Sequence, residues 1–67
     1  MKIATVYDLE MAKLVHLQIG EKTISVEADT IEMDNQDPIM LALKKDGTKV
    51  GEFRKAAVSG WWIQDLG

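Results

Sequence analysis

The sequence contains no cysteine, one histidine, one proline and four aromatic residues among its 67 positions. Without cysteine there is no disulfide framework and no thiolate metal site, and a single histidine cannot form a histidine cluster. No apolar run approaches the roughly 20 residues of a membrane-spanning helix. There is no glycine-rich phosphate loop, no Cys–His set and no nucleophile elbow, so the sequence carries no motif for nucleotide binding or acyl transfer. The first residues, Met1 to Asp8, lack the long apolar core of a secretory leader, and the expectation is a cytoplasmic protein.

What is present is enough for one small domain, 1–67. Hydrophobic residues make up 46% of the chain, an ordinary share for a folded domain. A domain of this size buries only about 60% of the surface that its unfolded chain exposes. With no disulfide and no metal to brace it, packing and association are the remaining sources of stability. Eleven acidic residues against eight basic ones give a net charge of −3, the wrong sign for general attraction to a nucleic-acid backbone.

From Ile3 to Ile19 the apolar residues favour odd positions: Ile3, Tyr7, Leu9, Met11, Val15, Leu17 and Ile19. Period two marks a strand with one buried face. A competing pattern runs from Leu9, with Asp8 as cap and Tyr7, Met11, Leu14 and Val15 along one helical face, so Leu9–Lys13 reads as either helix or strand. A break at Met11–Lys13 would split the segment into two strands. Gly20-Glu21 has the form of a two-residue type II′ hairpin turn. It sets Ile19 opposite Lys22, Leu17 opposite Ile24 and Val15 opposite Val26, all on one face, with His16, Gln18, Thr23 and Ser25 on the other.

Parity then changes. Ile24, Val26 and Ala28 are even, whereas Ile31 and Met33 are odd, so a bulge or bend is expected across Ala28-Asp29-Thr30. Asp34–Pro38 is a polar loop. The acidic residues Asp29, Glu32, Asp34 and Asp37 lack the glycine and spacing of a calcium loop; no metal and no cofactor are expected. Lys45-Asp46-Gly47-Thr48 is the strongest turn signal. A type I turn closed by Gly47 as a G1 bulge pairs Lys44 with Thr48, Leu41 with Gly51 and Ile39 with Phe53, which keeps Phe53 on the core face. Arg54–Val58 suits a single helical or 3₁₀ turn, and Ser59–Ile63 reads as the last strand.

The expected fold is therefore all-β: a small antiparallel barrel or curved sheet of five to six short strands, with one short helical turn near 55–58. The order of bent strand, hairpin, short turn and final strand resembles the architecture of SH3-like and Sm-like small barrels, although no motif ties the chain to a named family.

Adjacent residues on a strand point to opposite faces, so Trp61 and Trp62 cannot both enter one small core. Trp61 is expected inside with Ile63, and Trp62 outside, where a large exposed aromatic suggests a contact surface. The alternative is that the N-terminal segment or nearby lysine stems cover Trp62. The candidate partner-binding residues are Trp62, Arg54, Lys55 and His16; no catalytic residue is assigned. The functional expectation is a non-enzymatic binding or assembly module that self-associates through strand edges and the Trp surface. Two alternatives are a single-stranded nucleic-acid binder using Arg54, Lys55 and Trp62, with Lys44, Lys45 and Lys49 nearby, and a small-molecule binder with pockets between subunits.

Overall fold

A computed structural model describes residues 4–66. Ile3, the first of the alternating apolar positions, and the terminal Gly67 lie outside the described residues. Five antiparallel strands form one sheet: β1 (Ala4–Ile19), β2 (Lys22–Asp34), β3 (Met40–Lys45), β4 (Thr48–Arg54) and β5 (Gly60–Gln64), with a 3₁₀ turn at Lys55–Ala57 between the last two. The spatial order is β4-β3-β2-β1-β5, and β4 does not pair with β5, so the sheet is not closed. No helix among the described residues is long and apolar enough to cross a membrane.

The five strands match the expected five to six, but the first two are longer than the short strands expected. β1 has 16 residues and β2 has 13. A straight strand of 16 residues would run about 50 Å, whereas the longest dimension of the molecule is 37 Å. The difference is taken up by a bend. Asp8 pairs with Thr30 and Lys13 with Ala28, so Leu9–Ala12 bulges opposite the single residue Asp29. Glu10 takes φ 70°, a conformation no helix can use, and its amide donates to Asp8 Oδ1 at 2.8 Å. The helical reading of Leu9–Lys13 is thereby overturned, as is the split into two strands. The parity change in β2 falls where expected, at Asp29. The surplus residues, however, belong to β1.

The first hairpin has the expected register, with Ile19 opposite Lys22, Leu17 opposite Ile24 and Val15 opposite Val26. Gly20 carries φ 62°, and only the first central residue of the turn is left-handed, as type II′ requires. The second hairpin differs from expectation. Asp46 and Gly47 both have positive φ, 53° and 78°, and Lys45 pairs with Thr48, which makes a two-residue type I′ turn. Its twist matches that of the strands, and Asp tolerates the left-handed conformation. Continued without a break, that register would turn Glu52 inward. Instead the ladder shifts after Lys44–Lys49, skips Val50, and resumes with Leu43 opposite Gly51 and Leu41 opposite Phe53. The bulge thus sits at Val50 rather than Gly47. Phe53 stays on the core face, two residues out of the expected register. The lack of a side chain at Gly51 is used: a Cβ there would lie 3.2 Å from the Phe53 ring.

The buried core among the described residues is small: Val15, Leu17, Ala28, Ile31, Leu41 and Leu43, with Leu9, Val26, Met33, Phe53 and Val58 packed against it. These residues line the concave face of the bent sheet, and the molecule is only 15 Å thick in its shortest direction.

Candidate functional site

The last strand is held on one side only. β5 pairs with β1, His16 opposite Trp62, Leu17 opposite Trp61 and Val15 opposite Ile63. The 3₁₀ turn delivers the chain to that edge, and the Ser59 amide donates to the Gln18 carbonyl at 2.7 Å. The pairing assigns faces. Trp61 and Ile63 lie on the concave face with Leu17 and Val15, and Trp62 lies on the convex face with His16.

Trp61 is on the expected face but is not buried. It remains 45% exposed and Ile63 38%, close to the 48% of Trp62. The physical reason is the open sheet: β4 does not close onto β5, so no strand packs over the concave side of the last one. Trp61 packs at a tilt against Tyr7, with ring centroids 6.3 Å apart. Together they stand at the rim of a cleft of about 540 Å³ whose floor includes Leu17, Ile31 and Leu43 and whose lining also includes Lys55 and Ser59.

On the convex face, His16 stacks on Trp62 with centroids 5.1 Å apart and planes 18° from parallel. His16 Nε2 donates to Gln64 Oε1 at 2.8 Å, and Nδ1 accepts the Ser25 hydroxyl at 2.8 Å. Strand pairing produces this row, because Ser25 lies directly across from His16 and Gln64 lies diagonally beyond Trp62. His16 is the ring that meets Trp62. The connectivity of hydroxyl, imidazole and a third orienting group matches that of a nucleophile, a base and its positioning partner. The row lies on the convex face of the sheet, and chemistry of that kind also needs a cleft that excludes water and aims oxyanion donors at a substrate.

The four residues singled out from the sequence do not form one site. His16 and Trp62 are in contact. Arg54 and Lys55 border a separate hollow with Asp37, Pro38, Ile39 and Ala56, and Lys55 also lines the concave cleft. The lysines of the second hairpin are matched by carboxylates: Lys44 to Glu32 at 3.1 Å, Lys45 to Glu27 at 2.5 Å and Lys49 to Glu52 at 3.0 Å. The hydrogen bond to Glu27 raises the Lys45 ammonium above its usual range. Lys13 pairs with Asp65.

The acidic residues serve local structure. Asp29 accepts the Asp46 amide at 2.9 Å and the Thr30 hydroxyl at 2.8 Å, and these two bonds, the amide first, hold its carboxyl below the usual carboxylate range. Asp34 accepts the Gln36 amide at 2.9 Å. Among the described residues no group of three or more His, Asp and Glu side chains is placed to hold a metal ion.

Tyr7 and Gln64 are the site residues that sequence reasoning did not single out. Gln64 lies one residue beyond the Ser59–Ile63 strand expected from the sequence. The hairpin register did place Ser25 beside His16, but Gln64 follows only once β5 is known to pair with β1. Tyr7 reaches Trp61 because the bulge folds the first half of β1 back over the sheet. No family model, no curated protein and no solved structure matches the chain.

Proposed function

We propose that this protein is a non-enzymatic association module of SH3-like or Sm-like architecture, working in the cytoplasm through its open strand edge and exposed Trp surface, with a second copy of itself as its main partner. The observation that carries the reading is β5. It is an edge strand with a tryptophan half-exposed on each face. Large aromatics dominate interface energetics, and edge strands present unpaired backbone groups to another chain. The thin core adds support, since a domain with six buried hydrophobic side chains among its described residues gains from further burial. The accessible surface of 4622 Å² also exceeds the roughly 4,250 Å² usual for a monomer of this mass. Sedimentation equilibrium from micromolar to millimolar concentration, with Trp emission followed in parallel, tests the reading. Association with a blue shift is expected; a monomer throughout, with unshifted emission, would sink it.

The cleft behind Tyr7 and Trp61 favours a second reading, a small apolar ligand bound within one subunit rather than between two. Its volume of about 540 Å³ falls in the range of small-molecule sites. A compound panel that produced no shift in melting temperature would remove this reading. The single-stranded nucleic-acid reading has less support, because Lys44, Lys45 and Lys49 are each matched by a carboxylate and the hollow beside Arg54 and Lys55 does not include Trp62.

A further inference from the structure

We infer that β5 pairs with β5 of a second copy, antiparallel about a two-fold axis through Trp62, joining two sheets into one of ten strands. The inference rests on the association reading above and specifies its edge and register.

Four stretches of backbone lie at edges of the bent sheet, and three of them are guarded. β4 carries Lys49, Glu52 and Arg54 and is interrupted by the bulge at Val50. The first half of β1 has only four uncharged residues, Ala4–Tyr7, before Asp8 and the four-residue bulge cut it short. The first half of β2, beyond the reach of β3, carries Lys22 and Glu27. Charges and bulges of this kind oppose strand addition. β5, Gly-Trp-Trp-Ile-Gln, has no charge, no proline and no bulge. Among the described residues its only extensive contacts are with β1, and no strand pairs on its far side.

The strand also complements itself. Full overlap of two antiparallel copies of residues 60–64 sets Trp62 opposite Trp62, Trp61 opposite Ile63 and Gly60 opposite Gln64. Residues opposite each other share a face. The half-exposed Trp61 and Ile63 therefore cover one another on the concave side. On the convex side the stacked pair of His16 and Trp62 meets its symmetry mate. A two-fold contact requires such a self-matching patch. A register slip of one residue would set Trp62 against the concave row and leave both faces mismatched.

The size of the contact sets its strength. A tryptophan side chain offers up to about 250 Å². At 45% and 48% exposure the pair contributes about 230 Å² per copy, or about 460 Å² in the dimer. Even with Ile63 and the backbone added, this is below the roughly 1,200 Å² of a stable complex. A contact of this size belongs with weak, transient associations, and the dimer is reversible.

The test uses the wild-type chain. Equal parts of ¹³C-labelled and unlabelled protein, mixed at millimolar concentration, are expected to give intermolecular contacts from the Trp61 ring to the Ile63 methyls and between the two Trp62 rings. Ile63→Lys, checked for folding by circular dichroism, is expected to abolish association, and Val50→Lys on β4 to leave it intact. Association that survives Ile63→Lys but is lost in Val50→Lys, or intermolecular contacts in another register, would overturn the β5 pairing and leave the association reading standing. A wild-type chain that is monomeric at millimolar concentration would overturn both.

Discussion

Replacing Leu17 by alanine probes the inner face of the sheet at the point where three strands meet. Leu17 is 1% exposed and stands between Ile24 on β2 and Trp61 on β5. The change removes three carbons, worth about 0.8 kcal/mol each in transfer free energy. The unfilled cavity raises the expected loss to about 3 kcal/mol. A chain of 67 residues is expected to have a total stability of roughly 3–10 kcal/mol, so Leu17→Ala removes between a third and all of it. For a domain of this size the melting temperature falls by about 12–24 °C. Ile24→Ala is the matched control: it occupies the same rung and loses the same number of carbons, but Ile24 is already 36% exposed, and about 1.5 kcal/mol is expected. Urea unfolding, followed by Trp fluorescence at a concentration too low for association, gives both values. Equal losses for the two variants, or a Leu17→Ala loss under about 1 kcal/mol, would refute the assignment of Leu17 to the closed floor of the sheet and of Ile24 to its open margin.

Other expectations are equally specific. Gly47→Ala places a side chain at φ 78° and is expected to cost about 1 kcal/mol in the same unfolding assay, although nothing lies within 4 Å of its Cβ position. Asp29 binds its proton less readily in the folded chain than in the unfolded one. Its contribution to stability is therefore complete above the ordinary carboxylate range and is lost as pH falls through the lowered value. Asp29→Asn should flatten the acid limb of the stability–pH curve, and an unchanged limb would contradict the bond from Asp46. The Ser25–His16–Gln64 row is read as structural. A fluorophosphonate probe is accordingly expected to leave Ser25 unmodified, and its labelling would contradict that reading.

Much of this fold was legible because period-two patterning fixes faces before it fixes partners. Val15, Leu17, Ile24 and Val26 could be placed on one side from parity and one glycine turn, and the structure agrees. The parity change at Asp29 likewise announced a bend. The residues supplying the extra length could not be read, since a bulge on either strand satisfies the same pattern, and Leu9–Ala12 has good helix formers where the chain bulges. In the second hairpin, the requirement that Phe53 face inward is met both by a bulge in the turn and by one at Val50. Parity cannot distinguish registers that differ by two. The faces of Trp61 and Trp62 followed from adjacency alone. Their exposure did not, because it depends on whether β4 closes onto β5, a long-range relation with no local signature. For the same reason Arg54 and Lys55, near the tryptophans in sequence, line hollows that do not include Trp62.

The central claim, that β5 is the unguarded edge through which the protein associates, is tested most directly by amide hydrogen exchange measured residue by residue across a concentration series. Amides facing outward from an unpaired edge exchange readily and gain protection only when a partner strand covers them. The account predicts that outward-facing amides within Trp61–Gln64 slow as concentration rises, while those of Lys49–Arg54 on β4 do not change. Exchange at β5 that is independent of concentration, or protection that grows on β4 instead, would contradict it.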